Sequence, residues 1–123
     1  MKAIGLHHIS IVVRNTRDAL EFYCGVLGLP QNRERPALPF EGAWLDIGAQ
    51  QIHLIERVAD ATASPAGEPV SRDRHAAIYV EALDDIKGRL TAAGIEYVLS
   101  QRREALFCRD PDGNGLEFIV PST

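Results

Sequence analysis

Long apolar runs are missing from this 123-residue chain, and so are runs of lysine or arginine. Without a stretch of roughly 18 or more apolar residues there is nothing to span a membrane. Without a basic stripe, and with a formal charge of -4 and a pI near 5.5, there is no electrostatic footprint for nucleic acid. The short pairs Arg33/Arg35 and Arg102/Arg103 read as solvated surface. Cysteine is also scarce, and Cys24 and Cys108 cannot make a disulfide framework, so both are expected as reduced, buried thiols, one in a helix and one in a strand. The opening Met1-Lys2-Ala3-Ile4-Gly5-Leu6 runs straight into two histidines. Neither a signal peptide nor a membrane span is expected from it, and the expected location is the soluble cytoplasm. The length suits one domain that buries roughly two-thirds of the surface its unfolded form exposes.

What the chain does have is four residues able to bind a metal, each set alone in a strand-like apolar run. They are His8 in His8-Ile9-Ser10-Ile11-Val12-Val13, His53 in Gln51-Ile52-His53-Leu54-Ile55, His75 in His75-Ala76-Ala77-Ile78-Tyr79-Val80, and Glu117 in Gly115-Leu116-Glu117-Phe118-Ile119-Val120. Side chains alternate faces along a strand, so Ile9, Ile52, Ala76, Leu116 and Phe118 fall opposite the donors beside them. One face can then pack on helices while the other holds a site. A lone strand histidine is ordinarily a hydrogen-bonded structural residue. Four donors at matching places weigh differently, because each unpaired polar group buried on an apolar face costs about 1–3 kcal/mol, and a shared metal would satisfy all of them. His7 precedes the ligand position and is expected on the opposite face in a structural role.

The spacing of these donors points to a duplication. His8 and His75 are separated by 67 residues, and His53 and Glu117 by 64. After the first strand, Asn15-Thr16-Arg17-Asp18 leads into Ala19, Leu20, Tyr23 and Leu27 at helical spacing, with Gly28 as the stop. After the third, Asp84-Asp85 leads into Ile86, Leu90 and Ala93, with Gly94 as the stop. Both segments predict a strand, a capped amphipathic helix and a glycine. Further extended segments follow in each half, Ala43 to Ile47 and Gln51 to Glu56 in the first, Tyr97 to Leu99, Ala105 to Cys108 and Gly115 to Val120 in the second. The second strand of the first half is the faintest. The predicted fold is α+β, two tandem βαβββ modules over residues 1 to about 57 and about 74 to 123, joined by an irregular linker over 58–73. The stretch Gln31 to Gly42, with Pro36, Pro39 and Phe40, reads as a surface loop or a flap over the site.

Four pieces together carry a family resemblance: Leu6-His7-His8-Ile9-Ser10-Ile11-Val12-Val13, Ala19-Leu20-Glu21-Phe22-Tyr23, Val26-Leu27-Gly28-Leu29, and Arg109-Asp110-Pro111-Asp112-Gly113-Asn114-Gly115-Leu116-Glu117-Phe118. The sequence resembles the vicinal oxygen chelate superfamily, which includes glyoxalase I, methylmalonyl-CoA epimerase, extradiol dioxygenases and the fosfomycin and bleomycin resistance proteins. The resemblance implies a cupped mixed sheet around a divalent metal (Zn, Ni, Mn, Co or Fe). It implies His8 and His75 as ligands on the first strand of each module and Glu117 as the ligand on the last strand of the second. His53 falls where metal-dependent glyoxalases and epimerases usually have Glu or Gln, and an imidazole there lowers the negative charge of the site. A homodimer is also implied, and the site lies within one chain in some members and between chains in others.

The leading expectation from that resemblance is a metal-dependent lyase or isomerase of the glyoxalase type, acting on a small oxygenated substrate. The metal binds substrate oxygens and stabilises the enediolate left when a carbon-bound proton is removed. Glu117 is the first candidate for base or ligand and His53 the other. Two alternatives stand beside it. His8, His75 and Glu117 also resemble the two-His-one-carboxylate set of non-haem iron dioxygenases, and a non-catalytic binding or resistance protein would use the cup without its donors. Tyr79, on the His75 side of its strand, and Arg109 are candidate pocket residues. Arg109 or the Arg102/Arg103 pair could hold a carboxylate or phosphate. Trp44 and Phe40 are expected as core or pocket wall.

Overall fold

Strand β1, His8–Val13, forms where β-branched residues alternate with polar ones, and it buries Ile11 and Val13 on a single face. The computed structural model describes residues 1–57 and 69–122. The chain then turns into helix α1, Thr16–Leu20. Asn15 caps it, its side chain accepting from the Asp18 amide at 2.9 Å, and Glu56 Oε1 accepts from the Thr16 amide at 2.7 Å. Two of the amides that a helix start leaves without partners are thereby satisfied. The helix does not continue as an α-helix. Glu21–Val26 winds as a π-helical turn, and Gly28 ends it at φ +81°. Three strands complete the module: β2 (Gln31–Asn32), β3 (Gly42–Ile47) and β4 (Gln50–Glu56).

The second module repeats this order with β5 (His75–Tyr79), α2 (Asp84–Ala92), β6 (Val98–Leu99), β7 (Ala105–Arg109) and β8 (Gly115–Ile119). Gly94 ends α2 at φ +70°. The expected cap is absent from α2: no side chain caps its N-terminus, and Asp84 and Asp85 lie inside the first turn, where they favour the positive end of the helix dipole. The two sheets have the same strand order, β1-β4-β3-β2 and β5-β8-β7-β6. In each, the first and last strands pair in parallel and the remaining neighbours are antiparallel. This is the expected α+β fold, built from two βαβββ units.

The faint second strand of the first module lies at Gln31–Asn32, inside the stretch read as irregular, and pairs with Leu45 and Trp44. Two residues of strand are too few to leave an alternation in the sequence. Most of the expected linker, 58–68, lies outside the described residues; Val70–Arg72 forms a single 3-10 turn before β5. No helix among the described residues is long and apolar enough to cross a membrane.

One apolar core runs through both modules. Ile52, Ala76, Leu116 and Phe118 are buried in it as their parity requires, whereas Ile9, of the same parity, is 40 % exposed near the free end of β1. The cysteines are free, Cys108 buried in β7 and Cys24 only half-buried in the π-helical turn. Cys108 is pushed up to about 12 by burial and then by Asp110, so it stays a thiol.

A buried polar knot ties the modules together. The turn after β7 is organised by Asp110, whose Oδ1 accepts from the amides of Asp112 and Asn114. Its Oδ2 accepts from the Tyr23 hydroxyl at 2.8 Å, across 87 residues of sequence. Asn114 Nδ2 in turn donates to the carbonyl of Val12 at 3.0 Å. Burial, followed by the charge of Asp110, raises the Tyr23 phenol well above its usual value, so it remains a donor. Tyr23→Phe should therefore lower the unfolding free energy by about 1.5–3 kcal/mol, the range for a bond to a charged group. Urea denaturation measures it, and an unchanged midpoint would show that this contact does not stabilise the fold.

Candidate functional site

Register places the donors. In the first module His8 lies opposite Gln51, so His53 stands two residues further along the neighbouring strand, on the same face. In the second, His75 lies opposite Gly115, and Glu117 stands two residues further along. The relation between His8 and His53 is thus repeated by His75 and Glu117. Gly115 has its own part in this. A Cβ at that position would come within 2.8 Å of the Arg74 carbonyl, so glycine lets the chain entering His75 pass close to β8.

The second-module pair has defined chemistry. His75 Nδ1 lies 2.8 Å from the carbonyl of Asp73, and a carbonyl can only accept, so Nδ1 carries a hydrogen. His75 Nε2 faces Glu117 Oε1 at 3.0 Å. In a neutral ring that nitrogen presents a lone pair to a carboxylate lone pair, an arrangement that calls for a cation between them, either a proton or a metal ion. Two donors bound to one ion at about 2.1 Å and a right angle would sit ~3.0 Å apart. The pair therefore fits a divalent ion. The carbonyl of Asp73 is the outer partner that a ligand histidine needs to hold its ring. Glu117 itself is 2 % exposed, and its Oε2 accepts from Arg103 Nη2 at 2.9 Å.

The first-module pair is built differently. His53 is stacked between His8, with ring centroids 3.8 Å apart, and Trp44, at 4.4 Å and 5° between planes. Trp44 lies opposite His53 on β3, which accounts for the contact and makes Trp44 a wall of the site. His53 Nε2 lies 2.8 Å from Gln51 Oε1, which leaves Nδ1 as the nitrogen without a hydrogen-bond partner among the described residues. His7 does not turn away as its parity predicted. It precedes the strand, is exposed, and its Nδ1 meets Nδ1 of His8 at 2.8 Å.

The four donors thus stand as two pairs, His8 with His53 and His75 with Glu117. Among the described residues no three His, Cys, Asp or Glu side chains are gathered into a metal site. Of the candidate pocket residues, Tyr79 is exposed on the His75 face of β5. Arg109 is tied down, its Nη1 donating to Asp73 Oδ2 at 3.0 Å and to the carbonyl of Gly113 at 2.7 Å. Phe40 is 42 % exposed with Arg35 over its ring, so it belongs to neither the core nor the donor cluster. Sequence reading left two contacts unassigned. Gln51 was findable, two residues from His53 on the same strand face. Arg103 was named with Arg102 as able to hold a carboxylate, but its contact with Glu117 was not findable, because it sits in a bend without periodicity. A cavity of about 660 Å³ opens elsewhere, lined by Leu27, Ile47, Ile78, Ile86 and Phe118 among others, and none of the four donors borders it.

The Glyoxalase/Bleomycin resistance protein/Dioxygenase superfamily matches residues 5–118. A curated relative, Glyoxylase I 4 of Arabidopsis thaliana, is 32 % identical over 123 residues, covering 91 % of this chain and 68 % of the relative. This chain belongs to that superfamily. Among solved structures, a glyoxalase family protein from Bacillus anthracis has a TM-score of 0.79 at 24 % identity, covering 99 % of this chain and 98 % of its own. A mutant of the fosfomycin resistance protein FosX from Listeria monocytogenes, solved with Mn(II) and a dihydroxypropylphosphonic acid, has a TM-score of 0.77 at 16 % identity, covering 98 % and 95 %.

The stacked position of His53 has a measurable consequence. Burial lowers its pKa below the ordinary 6.5, with His8, His7 and Arg35 adding to the shift. In the metal-free protein an NMR titration should place its midpoint below 6.5, and Trp44→Ala should move it upward. The unfolded chain takes up this proton first, so stability should fall as pH drops from about 6.5 through the folded midpoint. Urea unfolding of His53→Gln should lack that component; equal pH slopes in both proteins would contradict the shift.

Proposed function

We propose that this protein is a metal-dependent lyase or isomerase of the glyoxalase type, acting on a small oxygenated substrate in a cup that two copies of the chain complete. The observation that carries the reading is the confrontation of His75 Nε2 and Glu117 Oε1 at 3.0 Å, with the other ring nitrogen already committed. His75 and Glu117 would hold a divalent ion together with His8. A bound ion of this kind supplies a Lewis acid that polarises substrate oxygens and stabilises negative charge developing next to them.

The chain's own residues divide the remaining work. Glu117 has one oxygen on His75 and the other on Arg103, so it serves as a fixed ligand rather than a mobile base. His53 has an unshared Nδ1, a lowered proton affinity and a ring clamped by Trp44 and His8. It is neutral near pH 7 and able to accept a carbon-bound proton there. Trp44 and Phe107 supply apolar walls, Phe107 lying opposite Glu117 on β7.

The placement of the pairs supports the proposed homodimer. β1 and β5, which carry His8 and His75, are edge strands of their sheets. Ile9 and Tyr79 stand exposed on them, and an exposed edge with apolar side chains favours pairing with another copy. Two copies would then set the first-module pair of one against the second-module pair of the other.

Metal titration tests this reading. His8→Ala, His75→Ala and Glu117→Ala should each lower Mn(II), Ni(II) or Zn(II) affinity about tenfold or more. His53→Ala should keep the metal and lose proton exchange into the substrate. Mixing His8→Ala with Glu117→Ala protein should regenerate intact sites in mixed dimers, whereas a site within one chain gains nothing from mixing. Full metal content in all three ligand variants would end the metalloenzyme reading. Oxygen consumption by the Fe(II)-loaded protein would move the reaction to the dioxygenases.

A further inference from the structure

Arg103 lies in the bend before β7, and a single one of its nitrogens is engaged: Nη2 donates to Glu117 Oε2 at 2.9 Å. Glu117 is buried, its side chain 3 % exposed, while the Arg103 side chain is 58 % exposed. Among the described residues its Nε and Nη1 meet no protein acceptor. The other arginines near the turn differ. Arg109 is spent on Asp73 and Gly113, and Arg14 pairs with Asp112. An arginine needed only to balance Glu117 would have no reason to keep most of its donors in solvent. Held by one charge-assisted bond to a buried carboxylate, the planar guanidinium is oriented before any ligand arrives, which lowers the entropy cost of binding one.

Charge points the same way. Arg103 and Glu117 cancel, His75 is neutral when its Nε2 serves as a ligand, and a divalent ion leaves the site with excess positive charge. Phe107 and Ala77 lie opposite Glu117 on the flanking strands, so neither neighbour supplies a charge that would compete for Arg103. We propose that Arg103 anchors the substrate through an oxyanion, a carboxylate or a phosphate-type group, placed next to the oxygens that reach His75 and Glu117. This rests on the proposed metal-site reading for its location and extends it to the class of substrate: small oxygenated compounds that carry an anionic group.

The test follows the Arg103 Nε–H and His75 ring signals by NMR while inorganic phosphate, and separately acetate, is added to metal-free and Zn(II)-loaded samples. Saturable shifts are expected in the wild type. Arg103→Ala should weaken them about tenfold or more, and Arg103→Lys should fall between, since an ammonium keeps the charge but not the fork. Saturation by phosphate alone assigns a phosphate or phosphonate, and saturation by acetate alone assigns a carboxylate. The proposal is overturned if both anions titrate wild type and Arg103→Ala alike, or if neither anion produces a saturable shift. It is also overturned if the variant loses Zn(II) with anion binding unchanged, which would leave Arg103 as a support for Glu117. Because the metal-free arm needs no ion, a failure of metal binding and a failure of anion binding are read separately.

Discussion

Parallel pairing of the first and last strands within each module is the constraint on which the rest of this structure depends. Parallel neighbours cannot be joined by a hairpin, so a long crossover must intervene, here a helix and two strands in the βαβββ order. The same pairing decides which residues can meet. It brings His75 and Glu117, 42 residues apart in sequence, to 3.0 Å. A slip of one residue would turn Glu117 into the core and Leu116 or Phe118 out to the site face. The burial of those two neighbours is therefore what holds Glu117 in place.

The two modules are joined by chemistry that differs from what holds each together. Within a module the core is apolar, but between them a buried carboxylate, a phenol and an amide exchange directional bonds through Asp110, Tyr23 and Asn114. Apolar faces tolerate sliding, whereas a satisfied buried polar group specifies one arrangement. The turn that carries Asp110 leads directly into β8. The strand that carries Glu117 is thus positioned by a contact from the helix of the first module.

Duplication has not produced equal halves. The second module keeps a carboxylate at its last strand, held on one side by His75 and on the other by Arg103. The first has an imidazole at the matching place, held by stacking on Trp44 and by a hydrogen bond that its Nε2 donates to Gln51 Oε1. A carboxylate bound at both oxygens is suited to holding a cation. A neutral imidazole with one free nitrogen is suited to moving a proton, and the division of labour proposed for the site comes from this difference.

The strands carrying the donors, the helix that follows each of β1 and β5, and the glycine stops were legible in the sequence, because each has a local cause: period-two alternation, a capping asparagine before α1, and positive φ at Gly28 and Gly94. The duplicated order was legible for the same reason. The π-helical turn, the two-residue β2 and the uncapped start of α2 left no such trace. Tertiary structure alone decided how the donors group, since grouping depends on register between strands far apart in sequence. It also decided that His7 meets His8 and that Arg109 is spent on Asp73 and Gly113 while Arg103 reaches Glu117. Alternation assigns a residue to a face, but only the packed chain decides what stands opposite it.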